Sequence, residues 1–345
     1  MAEVYTPPTG STKRQGVLRR VSALRSARAS WIPHWRELSM YQQPRLGRFL
    51  VTDISKGEKR HQAIYDRTAM GALRTLAAGM QSGMTSPARP WFRLELADRD
   101  LMERGEVKAW LFRTGTLLRN IFARSNTYRA LHTMYGELGL FGTACSIVVP
   151  NFDNVIHHYP LTAGEYALGQ NDLDYVDTVS REFQMTVGQM VQRFGKEACS
   201  TTVQNLYSRG AFDSWVPLVH LIEPRRDRDL TKKDAKHMAW ASCYLEAGGN
   251  EDKFLSESGF KRFPALAPRW EVTSGDTYGN SPGMEALGDV KQLQHQQLRK
   301  SQAIDYKVNP PLQVPPGYKD NAKARLPGGI MVVPSTGPDG GVRSA

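Results

Sequence analysis

The sequence is poor in cysteine and has no long apolar run. Its three cysteines, Cys145, Cys199 and Cys243, lie far apart without paired spacing. They form neither a disulfide framework nor a zinc site, which fits a reducing compartment. No apolar stretch approaches the roughly 20 residues that a membrane span requires. The amino terminus, MAEVYTPPTGSTKRQG, lacks the apolar core of a signal peptide. A protein that is soluble and intracellular when made, with no membrane partner, is therefore expected.

Catalytic signatures are equally scarce. There is no GxxxxGK[ST] phosphate loop, because Gly195-Lys196 is followed by Glu197 and lacks the preceding glycine. There is no GxSxG elbow. The adjacent His157 and His158 would point to opposite faces of a strand, and they lack the i, i+4 spacing of HExxH. Glu223, Asp227, Asp229 and Asp234 could be read as a two-metal nuclease cluster. They are interleaved with Arg225, Arg226, Arg228, Lys232 and Lys233, so a solvated charged loop explains them better. No catalytic residue, metal ligand or cofactor is assigned, and a binding or structural role is favoured over an enzyme. The competing reading is a metal-dependent nuclease using dispersed carboxylates.

What is present is enough material for about two domains of the usual size of roughly 150 residues. With 40% hydrophobic residues the chain can bury a real core. Lys and Arg number 45 against 34 Asp and Glu, a net charge of +11. Such an excess fits a polyanionic partner, nucleic acid first, and fits a solvated basic surface equally well.

Residues 1–16, rich in Pro, Gly, Ser and Thr, are expected to be a flexible arm. Val21, Leu24, Trp31, Trp35 and Leu38 recur at helical spacing and predict a helix over 17–41. Ala69, Leu73, Leu76 and Met80 predict a second near 61–84, stopped by Ser86-Pro87. A third is predicted near 103–124 and a fourth near 127–139. Strands are expected at 143–149 and 179–185. Thr186 is placed to cap a helix over 187–194, a short helix follows at about 200–209, and 215–273 reads mostly as strands. This middle region looks like a separate mixed α/β unit.

From Pro282 to about Tyr306 a long helix is predicted with only a thin apolar stripe of Leu287, Val290, Leu293, Leu298 and Ile304. Gln292, Gln294, Gln296, Gln297 and Gln302 cover the remainder with Lys291, His295, Arg299 and Lys300. A helix this polar cannot sit in an ordinary core; it bridges solvent or packs beside copies of itself. The Pro/Gly-rich tail reads as loop with one short strand near 330–333.

Five passages together resemble the head-to-tail connecting (portal) proteins of podoviruses, the group that includes the T7-like phages. They are Trp31, Trp35, Arg36, Tyr41 and Pro44-Arg45; YDRTAMGALRTLAAGMQSGMTSPARPWFRL at 65–94; SNTYRALHTMYGELGLFGTAC at 125–145; VSREFQMTVGQMVQRFG at 179–195; and GDTYGNSPGMEALGDVKQLQHQQLRKSQAIDYKVNPPL at 275–312. They stand in the family's order, and no single motif carries the likeness.

The resemblance implies an α+β portal fold: a mostly helical wing with β elements, a helical stem and a small α/β clip, assembled as a ring, usually of twelve subunits. Carried onto this sequence, 1–16 is the arm, 17–186 the wing and 187–214 the first stem helix region. Residues 215–274 become the clip, 275–308 the second stem helix, and 309–345 the tunnel-loop region and the start of a C-terminal wing. Family members continue past this point with a long return helix and a crown, and here the sequence stops at Ala345. The implied role is a conduit for DNA packaging and ejection at the capsid vertex, the head-tail junction of the virion, assembled in the host cytoplasm; a smaller head-completion or tail adaptor protein is the alternative. Implied partners are other copies of the chain, double-stranded DNA bound without sequence preference, major capsid and scaffolding proteins, the terminase and tail adaptor proteins. Lys300, Lys307, Lys319, Lys323 and Arg325 are the expected DNA-facing residues. Leu287, Val290 and Leu293 are expected at the subunit interface, and Arg225 and Arg226 at the motor or tail docking surface.

Overall fold

A computed structural model describes residues 12–50, 64–249, 252–314, 330–332 and 343–344. Where the apolar spacing predicts one helix over 17–41, the chain forms two, α1 (Lys13–Arg28) and α2 (Trp31–Gln42). Thr12 caps α1, its hydroxyl accepting from the Gln15 amide. The break follows from packing: α1 lays Val21 and Leu24 on a cluster with Val219, Leu221 and Leu245, whereas α2 delivers Trp35 and Leu38 to a different one. One straight helix could not serve both. Next comes α3 (Thr68–Met84), which starts where Asp66 Oδ1 accepts from the Thr68 amide at 2.7 Å. The predicted start of this helix, at 61–63, lies outside the described residues.

Three helices follow: α4 (Arg99–Glu103), α5 (Gly105–Arg124) and α6 (Thr127–Phe141). Helix α6 ends at Gly142 in the left-handed region, φ 72°. A Cβ there would lie 2.0 Å from the Gly279 carbonyl oxygen, so both the conformation and the close approach require glycine. The chain then turns into β1 (Cys145–Asn151), a hairpin with β2 (Val155–Leu161).

Five antiparallel strands form the second sheet in the order β3 (Tyr166–Gln170), β4 (Val176–Thr186), β5 (Trp215–Pro224), β6 (Trp240–Glu246) and β7 (Ser256–Phe260). Between β4 and β5 run α7 (Val187–Phe194) and α8 (Thr201–Ser208). Thr186 and Gln189 close a capping box at the start of α7, which holds that helix to the expected residues. The short strand β8 (Ala265–Leu266) returns to β1, completing the first sheet, and then come α9 (Pro282–Glu285) and α10 (Leu287–Val308). Beyond α10, β9 (Leu312–Val314) pairs in parallel with β10 (Ile330–Val332) and antiparallel with β11 (Arg343–Ser344).

The architecture is mixed α+β, but the middle of the chain is not a separate unit. Strand β4 pairs with β5 from Val179↔Ile222 to Thr186↔Trp215, so one sheet crosses the expected boundaries after 186 and 214. One core also joins Trp35 and Leu38 of α2, Leu140 and Phe141 of α6, Tyr166, Val179 and Ile222 of the sheet, and Tyr278 and Leu287. Trp35 lies at its centre, edge-on to Tyr278 with centroids 5.0 Å apart. The Tyr278 hydroxyl accepts from the Leu168 amide at 3.0 Å, and the Tyr166 hydroxyl donates to the Thr143 carbonyl at 3.1 Å. A pattern of strands after a pattern of helices reads as two units only while the pairing partners are hidden.

Candidate assembly and DNA-facing surfaces

Helix α10 has 22 residues, about 33 Å at 1.5 Å per residue. Its two ends live in different surroundings. At the root, Leu287 and Val290 are buried within the chain, Leu287 in the main core. Both are thus spent inside the subunit and are not free to meet a neighbour, contrary to the expected interface role; Leu293 is only half-buried. The stripe looked thin because its next position holds a glutamine.

Gln294, counted by pattern with the polar cover, is buried. Its Oε1 accepts from the Tyr65 and Asp66 amides at 2.6 and 2.8 Å, and its Nε2 donates to the Asp66 carbonyl at 2.7 Å. One side chain thereby satisfies three backbone groups of the segment leading into α3. Lys291 adds an ion pair to Glu37 of α2, and Gln42 Nε2 donates to the Gly283 carbonyl at 2.6 Å. The available signal was spacing: 287, 290 and 294 share one face, and a polar residue on a buried stripe implies a partner. Gln294→Met keeps the volume but strands those backbone groups. It should cost about 2 kcal/mol in chemical denaturation and speed amide exchange at Tyr65 and Asp66.

Past this root the helix is in water. Residues 303–309 are all exposed, Ile304, Tyr306 and Val308 among them. Lys300 and Lys307 stand here, and both are exposed. Lys319, Lys323 and Arg325 lie outside the described residues.

The loop after β5 divides the two expected docking arginines. Arg225 is 5% exposed at its side chain, ion-paired to Glu257 at 3.2 Å and donating to the Ser258 carbonyl at 3.0 Å. It staples β5 to β7 and is not a docking residue. Arg226 is exposed, in the run with Asp227 and Arg228. Glu223 faces Arg20 at 3.6 Å, and burial pushes its carboxyl up from the ordinary range. The carboxylates of this stretch are thus shared among ion pairs. His158 is buried with Nε2 3.1 Å from Thr127 Oγ1, while His157 stacks edge-on to Tyr159 on the other face of β2.

Among the described residues no three His, Cys, Asp or Glu side chains are grouped to hold a metal, and no helix is long and apolar enough to cross a membrane. All three cysteines are buried and unpaired.

The sequence profile of bacteriophage head to tail connecting proteins matches residues 14–345. The probable portal protein of Bordetella phage BPP-1 is 57% identical over 334 residues, 97% of this chain and 60% of that protein. The portal protein of Salmonella phage epsilon15 is 43% identical over 320 residues, 92% of this chain and 58% of that protein. The chain therefore spans about three-fifths of the length of these relatives. Neither likeness narrows the family to the T7-like group. On a match that runs from α1 to the last residue, the chain belongs to the family of bacteriophage head to tail connecting, or portal, proteins.

Proposed function

We propose that the protein is a phage portal: copies assemble as a ring at one capsid vertex, pass DNA during packaging and ejection, and dock the packaging motor and later the tail. The role is structural and non-enzymatic. The observation that carries this reading is the family match across 14–345. Capsid and scaffolding proteins, the terminase and tail adaptors are the partners such a ring requires, and its place is the head-tail junction of the virion. Kinship with T7-like portals belongs to the same proposal.

The fold favours a different allocation of parts from the one implied by resemblance alone. Helices α7 and α8 have eight residues each, about 12 Å apiece. With Cys199 of the turn between them, they bury Val187, Met190 and Val203 against Leu218 of the sheet. They belong to the body and are too short for a stem. The one long helix that leaves the body among the described residues is α10, and β strands follow it. In the order wing, stem, clip, this supports the body up to Glu285 as wing, α10 as the first stem helix, and the strands after it as the beginning of the clip.

Lys300 and Lys307 are then the DNA-facing candidates, presented as point charges repeated around the ring. Duplex binding should be independent of sequence, with a dissociation constant of roughly 10⁻⁴–10⁻⁶ M near physiological salt, weakening steeply as salt rises. The test is negative-stain imaging and light scattering of the protein, followed by duplex binding across a salt series with Lys300→Gln/Lys307→Gln. Rings whose salt slope flattens in the double variant are expected. A monomer that cleaves DNA only with added metal would overturn the reading, and an unchanged slope would remove these two lysines from it.

A further inference from the structure

Helix α5 is packed along only part of its circumference. Phe122 joins Trp91 and Phe92 in an aromatic group, with centroids at 6.1 and 5.8 Å, and Leu111 and Gly115 are buried. Two apolar surfaces are left in water. Trp110 and Leu117, seven residues apart and so on one side, are 61% and 59% exposed. Phe112, 71% exposed, lies about 200° further round, given 3.6 residues per turn. It forms the lip of a cleft of about 170 Å³ whose apolar lining includes Phe92, Leu94, Met102 and Leu111. One side of the helix is therefore a ridge and the other a hollow.

Large apolar rings left in water on a folded chain mark a binding surface. Here there are two of unlike shape on opposite sides, which a single partner could not cover together. Two further copies of this chain, one on each side, can. In a head-to-tail contact each copy offers its ridge to one neighbour and its hollow to the other, and closure of a ring covers both surfaces in every copy. The charges fit the same pairing. Glu106 lies one turn before Trp110 on the ridge, exposed and without an ion pair among the described residues; in the lining of the hollow Arg93 is paired with Glu95 and Lys108 with Glu103, which leaves Arg119 as the cation to meet it. Arg113, also on the ridge, opposes this and leaves the apolar contact as the main attraction.

We propose that the Trp110–Leu117 ridge of one copy seats in the Phe92–Met102–Phe112 cleft of the next, a contact repeated around the assembly. The proposal rests on the portal reading and adds where neighbouring copies meet.

The contact can be trapped with cysteines, because the three native ones are buried. Leu94→Cys/Leu117→Cys in the full protein, treated with a short bis-maleimide, should give a ladder of covalent multimers ending at the ring. Either single variant should give none, since two ridges or two hollows never face each other. Trp110→Ser, at an exposed position, should leave the far-ultraviolet circular dichroism unchanged yet weaken assembly by about tenfold or more. Rings that form in the double variant but give no ladder would overturn the α5 contact and leave the portal reading standing. Dimers from a single variant would overturn the head-to-tail geometry. Failure of the unmodified protein to form any oligomer would overturn both.

Discussion

Trp35→Ala should destabilise the chain by about 3–5 kcal/mol, the usual cost of truncating a fully buried Trp, whereas Trp35→Phe should cost far less. The indole is 0% exposed and packs against three aromatic rings from three parts of the chain. Trp31 lies at 6.1 Å, Tyr278 at 5.0 Å and Phe141 at 6.3 Å between centroids. Leu287, the first residue of α10, belongs to the same cluster. An alanine leaves a cavity between elements that cannot all move in, because the sheet behind them is continuous. Phenylalanine keeps most of the ring, and no hydrogen bond is lost, since the indole Nε1 has no partner among the described residues. Urea denaturation of the two variants separates the terms: similar losses for both would mean that the site depends on the indole nitrogen and not on volume.

The second large effect is electrostatic and centres on Glu137. This side chain, on α6, is 1% exposed, with Thr162 Oγ1 donating to one carboxyl oxygen at 2.6 Å and the Ala163 amide to the other at 3.1 Å. Burial pushes its pKa up to about 7, with a smaller contribution from Glu165, and the two hydrogen bonds only partly oppose this. The folded state therefore holds the proton more tightly than the unfolded chain, whose carboxyl titrates near 4.5. The stabilisation is full below about pH 4.5 and is lost as pH rises to about 7. At ~1.36 kcal/mol per tenfold in proton affinity, the loss amounts to about 3 kcal/mol. His158 and His220, whose burial lowers their pKa values, act in the opposite sense, losing stability as pH falls below 6.5. The informative quantity is thus the difference between the native chain and Glu137→Gln, which cannot ionise. Relative to the native chain, the variant should lose about 2.5 kcal/mol of stability at pH 5 compared with pH 8; parallel profiles for the two proteins would refute this.

Features written into neighbouring residues could be read directly from the sequence. The helix over 187–194 was legible because Thr186 and Gln189 form its cap three residues apart, and β5 because its ten residues carry an unbroken strand pattern. Features that depend on distant partners could not. The split of α1 from α2 reflects two clusters assembled from residues far along the chain. Arg225 looked like part of a solvated loop because Glu257, which buries it, is 32 residues away. Gln294 looked like polar cover because the backbone it satisfies is more than 200 positions earlier, at Tyr65 and Asp66. Of the expected site, the exposure of Lys300 and Lys307 was legible; the spending of Leu287 and Val290 inside the subunit was not, since a thin apolar stripe does not say which surface it will meet.

In mechanical terms α10 is a lever held at its root. It is clamped from Leu287 to Gln294 and projects from there to Val308, arms of about 10 Å and 21 Å at 1.5 Å per residue. A tilt that moves the clamp by 1 Å therefore swings the tip by roughly 2 Å, and a sideways load on the tip reaches the clamp with about twofold leverage. The load is taken up by Lys291 on Glu37 and by Leu287 in the Trp35 cluster, the core shared by α2, α6 and the sheet. Whatever pushes on the far end is thus felt in the body, and Gln294 passes part of it to the backbone of Tyr65 and Asp66 ahead of α3.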